Sequence, residues 1–132
     1  MKDKRGIVVK VEQEISMEQI ENLLCSALEG GSNYWCVVSK YVAPRNFKNS
    51  SEDMAKYKHI SYPINVGGAL HIEDNEDGKE KGVLNIIAIK KGLALMAKEQ
   101  PKHFAEIVNE NDDADTADVF LQLCVFGKLI FG

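Results

Sequence analysis

The chain has 132 residues, 45% of them hydrophobic and 27% charged, a length and composition that suit one globular domain with a real core. Sixteen Lys and Arg against twenty Asp and Glu leave a net charge of −4, which argues against a general nucleic-acid binder that must neutralise a run of phosphates. Cys25, Cys36 and Cys124 are odd in number and lack CxxC spacing, so reduced, buried thiols are expected and neither a disulfide framework nor a zinc site is.

The N-terminus MKDKRGIVVKVEQE carries no apolar core of signal-peptide length. No segment approaches the roughly 18 consecutive apolar residues of a membrane span. A cytoplasmic protein without membrane contact is therefore expected. Residues 6–12 alternate Ile7, Val9 and Val11 with Val8 and Lys10, the period-2 pattern of a first strand. Ser16 with Gln19 forms a capping-box pair, after which Ile20, Leu23, Leu24, Ala27 and Leu28 recur at helical spacing. Gly30 and Gly31 are expected to close that helix through positive φ. The aromatic and β-branched stretch 33–42 follows as a second strand.

Residues 43–51 lack a sustained period and suit a loop, followed by a short helix over 52–58. Residues 69–72 and 83–84 flank a polar stretch containing Gly78, which predicts a hairpin. Asn85 can cap a helix whose apolar stripe is Ile86, Ile89, Leu93 and Met96, with Gly92 weakening it by about 1 kcal/mol relative to Ala. Pro101 ends this helix or opens another at its first turn. After a polar break at 109–113, residues 115–126 form a helix in which Asp115, Asp118 and Gln122 share one narrow sector and apolar residues fill most of the rest. Such a helix is either the centre of the core or part of a subunit interface, so homo-oligomerisation is open. Residues 128–131 suggest a short last strand.

Three clusters could carry chemistry. Glu73, Asp74, Asn75, Glu76, Asp77 and Gly78 superficially resemble a calcium loop, but with Gly78 at the sixth position the twelfth is Leu84 where a bidentate Glu is required. A polar hairpin turn accounts for the same residues. Asp112, Asp113, Asp115 and Asp118, with Glu106 and Glu110 just upstream, form an acidic run whose four aspartates could hold Mg²⁺ or Mn²⁺ for phosphate-ester chemistry. Helix capping and the helix dipole explain Asp112, Asp113 and Asp115 without a ligand. Asn33, Tyr34 and Trp35 could stack on and hydrogen-bond a base or other flat ligand. Alternatively, Trp35 enters the core beside a glycine-closed turn. His59, His71 and His103 lie in separate segments, and no GxSxG, GxGxxG, HExxH or Walker pattern occurs. No catalytic residue, metal ligand or cofactor is assigned.

The segments ISMEQIENLLCSALEGGSNYWC at 15–36, GGALHIED at 67–74, KKGLALM at 90–96 and DADTADVFLQLCVFGKLIFG at 113–132 resemble a widespread family of small proteins from phages and prophages of Gram-positive bacteria. The resemblance runs across nearly the whole chain; residues 42–63 depart most from it. It implies a bacterial host cell as location and a binding role against a host protein, such as inhibition of a CRISPR nuclease; sequestration of a nucleotide signal is the alternative. Acidic residues Glu73, Asp74, Glu76, Asp77, Glu106, Glu110, Asp112 and Asp113 would then face a positively charged channel of the partner. The expected architecture is a single α+β domain over 1–132, a small mainly antiparallel sheet packed with three to four helices.

Overall fold

A computed structural model describes residues 3–45 and 60–132. The short helix expected over 52–58 and His59 lie outside the described residues. Within them the fold is α+β: a three-stranded antiparallel sheet packed with four α-helices.

Helix α1 spans Met17–Ser26 and starts where the sequence says it should. Ser16 Oγ accepts from the Gln19 amide at 3.1 Å while Gln19 Oε1 accepts from the Ser16 amide at 3.0 Å, so two otherwise orphaned donors are satisfied reciprocally. Its apolar stripe buries Ile20, Leu23 and Leu24. The chain then widens into one π-helical turn, Ala27–Gly31. Neither Gly30 nor Gly31 takes positive φ there. Gly31 is required for a different reason: a Cβ at this position would overlap the carbonyl oxygen of Ala114.

Strand β1 (Cys36–Val42) pairs with β2 (Ala69–Asp74), which pairs with β3 (Lys81–Leu84), in the order β1-β2-β3. Cys36 faces Asp74 and Val42 faces Ala69, with an irregularity between Val38 and Lys40. Along β2, Leu70, Ile72 and Asp74 point inward and alternate with His71 and Glu73. The outward Glu73 lies opposite Lys81 on β3, a favourable cross-strand charge pair.

Helix α2 (Ile86–Glu99) is capped by Asn85, whose Oδ1 accepts from the Ala88 amide at 2.9 Å. Helix α3 (Pro101–Val108) begins on Pro101, so the proline initiates a helix, at the position where its missing N–H costs nothing. Helix α4 (Ala114–Phe126) is capped by Asp113 and ends at Gly127, whose φ of 73° allows the left-handed C-cap. Helix α4 is the centre of the fold, touching α1, the π turn, β3, α2 and α3. Of the two readings its apolar circumference allowed, burial in the core is the one realised. Phe120, Leu121 and Leu123 are buried in it, each contributing roughly 1.5–3 kcal/mol. Gly92 lies where α2 crosses α4, with no room for a side chain against Cys124.

The strand expected over 33–42 begins only at Cys36, residues 33–35 forming a turn, and two further strand expectations are corrected. Residues 3–14 lie outside the sheet, with Ile7 92% and Val9 72% exposed. Alternation describes a strand's side chains, but a strand also needs a partner, and β1, β2 and β3 pair only among themselves. Residues 128–131 likewise join no ladder. Their backbone groups go to a side chain: Gln122 Oε1 accepts from the Ile130 and Phe131 amides at 2.8 and 2.9 Å, and Gln122 Nε2 donates to the Phe131 carbonyl at 3.1 Å.

Candidate functional site

The turn after α1, the β2–β3 hairpin and the first half of α4 meet at one end of the molecule. Asp118 ties them together. Its Oδ1 accepts from Ser32 Oγ at 2.7 Å and from Trp35 Nε1 at 2.8 Å, while Oδ2 accepts from Tyr34 Oη at 2.7 Å and from Gln122 Nε2 at 3.1 Å. Both oxygens are thus occupied by two donors each, so Asp118 holds the turn in place and has no free geometry for a metal or a proton-transfer role.

Asn75 makes the second tie. Its backbone amide donates to the Trp35 carbonyl at 2.7 Å, and its side-chain amide donates to the Tyr34 carbonyl at 3.2 Å. The hairpin tip and residues 33–35 are therefore joined across about forty positions of sequence. Trp35 turns into the core, 2% exposed, stacked on Phe131 with ring centroids 4.8 Å apart and tilted against Phe126 at 5.3 Å. Phe131 occupies the ring face that a flat ligand would need. Tyr34 does the opposite: its side chain is 53% exposed although its hydroxyl is fixed. Partial burial, followed by the hydrogen bond to Asp118, pushes the Tyr34 phenol up to about 12.

The acidic residues divide by what they do. Asp74 is buried and closes the hairpin turn: Oδ1 accepts from the amides of Glu76, Asp77 and Gly78 at 3.1, 2.9 and 3.1 Å, and Oδ2 from that of Glu80 at 2.8 Å. These backbone donors, those of Asp77 and Glu80 foremost, hold its carboxyl well below the usual range. The segment is a carboxylate-organised turn, the polar hairpin turn that its residues predict. Asp113 caps α4 by accepting from the Thr116 amide at 3.0 Å, which lowers its pKa. Glu106 is engaged as well, with Oε1 2.6 Å from His103 Nδ1 and 3.0 Å from Thr116 Oγ1. Asp77 accepts from the Lys79 amide at 3.0 Å and lies 3.8 Å from Lys79 Nζ, yet with Glu76 and Glu110 it remains exposed, and Glu73 and Asp112 are half-buried.

Asn33, Tyr34 and the 73–77 hairpin are brought together, whereas Trp35 is separated from them by pointing inward. Sequence reasoning missed Ser32, Asn75 and Gln122 as anchors. The available signal was the polar sector of α4, where Asp118 and Gln122 interrupt an apolar helix and so needed partners. Among the described residues no group of three or more His, Cys, Asp or Glu side chains is placed to hold a metal ion. Cys36 and Cys124 are buried free thiols, and burial pushes both up, Cys36 to about 11. No helix of the described residues is long and apolar enough to cross a membrane. Comparisons with protein-family models, curated proteins and solved structures find no match to this chain.

Proposed function

We propose that this chain is a binding protein whose contact surface is the end formed by Asn33, Tyr34 and the hairpin tip at Asn75, Glu76 and Asp77. The observation that carries the reading is Tyr34. Its ring is half exposed while its hydroxyl is bonded to Asp118 and its carbonyl to Asn75. An aromatic side chain held in this way offers contact area without losing rotamer freedom on binding, the property that makes tyrosine an interface anchor. Exposed Glu76 and Asp77 lie on the joined hairpin tip, and Asp115 is close enough for its charge to act on the Tyr34 phenol. An aromatic anchor with an acidic rim suits a basic protein surface.

The resemblance to phage and prophage proteins directs the choice of partner to a host protein of the bacterial cell. A nuclease channel lined by Lys and Arg, such as that of a CRISPR nuclease, has the complementary charge. The chain would block it by occupancy. The test is affinity capture from a host lysate, followed by titration of the recovered partner against Tyr34→Ala and the charge reversal Glu76→Lys/Asp77→Lys. Tyr34→Ala is expected to weaken binding by at least about 30-fold, the scale of an interface hot spot. The charge reversal is expected to slow association and flatten its salt dependence. Wild-type binding by both variants would refute the assignment of this surface.

A further inference from the structure

We infer that residues 4–14 form an antiparallel β-ribbon with the same residues of a second copy, and that this ribbon closes an apolar groove between α1 and α2. The arm has the side-chain alternation of a strand and no strand partner among the described residues. Ile7, Val9 and Val11, which fall on one face of an extended strand, are 92%, 72% and 78% exposed, and Val8 between them is exposed as well. Further along, the same face already turns toward the body of the protein. Val11, Gln13 and Ile15 line a groove of about 600 Å³ with Ile86 and Leu93 of α2 and Phe104 of α3. The apolar face that projects into solvent is continuous with the wall of an open apolar groove.

The arm is complementary to itself. An antiparallel pairing with its dyad at Val9 places Ile7 opposite Val11 and Val9 opposite its own copy, so all apolar residues of the face meet one another. On the other face Lys4 falls opposite Glu14 and Gly6 opposite Glu12, with Val8 opposite Lys10. No like charges face each other. Moving the dyad to Lys10 would set Lys10 against itself, and moving it to Val8 would set Arg5 against Val11. This matching favours a second copy over an unrelated strand, and the contact is isologous, so it closes as a dimer. A two-stranded ribbon alone is marginal in water. Here its apolar face has the groove of each copy to rest on.

Sedimentation equilibrium of the full chain is expected to show a concentration-dependent monomer–dimer equilibrium. Val9→Lys brings two ammonium groups together at the dyad and is expected to weaken the dimer by at least about 100-fold. Lys4→Glu is expected to weaken it about fivefold, and Lys4→Glu/Glu14→Lys to restore it. Val9 is exposed in the single chain, so circular dichroism of Val9→Lys should match that of the wild type at concentrations where the wild type is monomeric. Under mild oxidation, Val9→Cys is expected to cross-link two copies through the introduced thiols, and Val8→Cys, which faces Lys10, to do so far more slowly. A wild-type chain that stays monomeric, a dimer that Val9→Lys leaves intact, or equal cross-linking at positions 8 and 9 would each overturn the inference.

Discussion

Removing the Asp118 carboxylate would strand the hydroxyl of Ser32 and the indole N–H of Trp35, both buried, and take one partner each from Tyr34 Oη and Gln122 Nε2. A buried donor left without a partner costs about 1–3 kcal/mol, more than the net value of the hydrogen bond itself. Asp118→Ala is therefore expected to lose about 3 kcal/mol of stability in urea unfolding. Asp118→Asn keeps an acceptor for Ser32 and Trp35 and offers an amide from which Tyr34 Oη can accept, but it sets a donor against Gln122 Nε2, so it should lose about 1 kcal/mol. Equal stability of Asp118→Ala and wild type would mean that the donors find other partners. The same substitution frees the Tyr34 ring, so it should also weaken the proposed partner contact without touching an exposed residue.

At the level of elements, the helices were legible because their signals are local. Ser16 and Gln19, Asn85, Asp113 and Pro101 mark helix starts within a few residues of the bonds they make. The two misread strands fail for one reason. Alternation at 6–12 and β-forming residues at 128–131 report which side chains suit a sheet, but strand formation depends on a neighbour that lies elsewhere in the chain. The site was legible only in part for the same reason: Asp118 meets Ser32, Tyr34 and Trp35 across 83 to 86 positions. Gly92 shows a local rule overridden by packing. Propensity alone makes Gly92→Ala favourable by about 1 kcal/mol. Packing reverses the sign, because the new Cβ would sit 2.7 Å from Cys124 Cα, a backbone atom that cannot rotate away. Gly92→Ala is expected to destabilise by about 2 kcal/mol in chemical denaturation, since α2 must move off α4. A stabilised variant would show that α2 and α4 can part at this crossing without cost.

Across the whole molecule, parts distant in sequence converge on Trp35. The hairpin reaches it through Asn75, α4 through Asp118 and Phe126, and the C-terminal residues through Phe131. The last residues thus help to hold the proposed binding end without belonging to it. Deleting residues 129–132 removes the stacked ring and leaves Gln122, itself buried, without the three backbone groups it serves. An aromatic ring lost from a packed site costs about 3 kcal/mol when fully buried, and Phe131 is half-buried, so a loss of about 2 kcal/mol is expected together with the cost at Gln122. The chain has a single tryptophan, which makes the rearrangement directly visible. Its fluorescence should shift to the red as water reaches the uncovered face, while far-ultraviolet circular dichroism stays near that of the wild type. Unchanged emission and stability would mean that the core holds Trp35 without the terminal residues. A red shift accompanied by weaker partner binding would show that the order of the Tyr34 turn depends on a segment almost one hundred positions away.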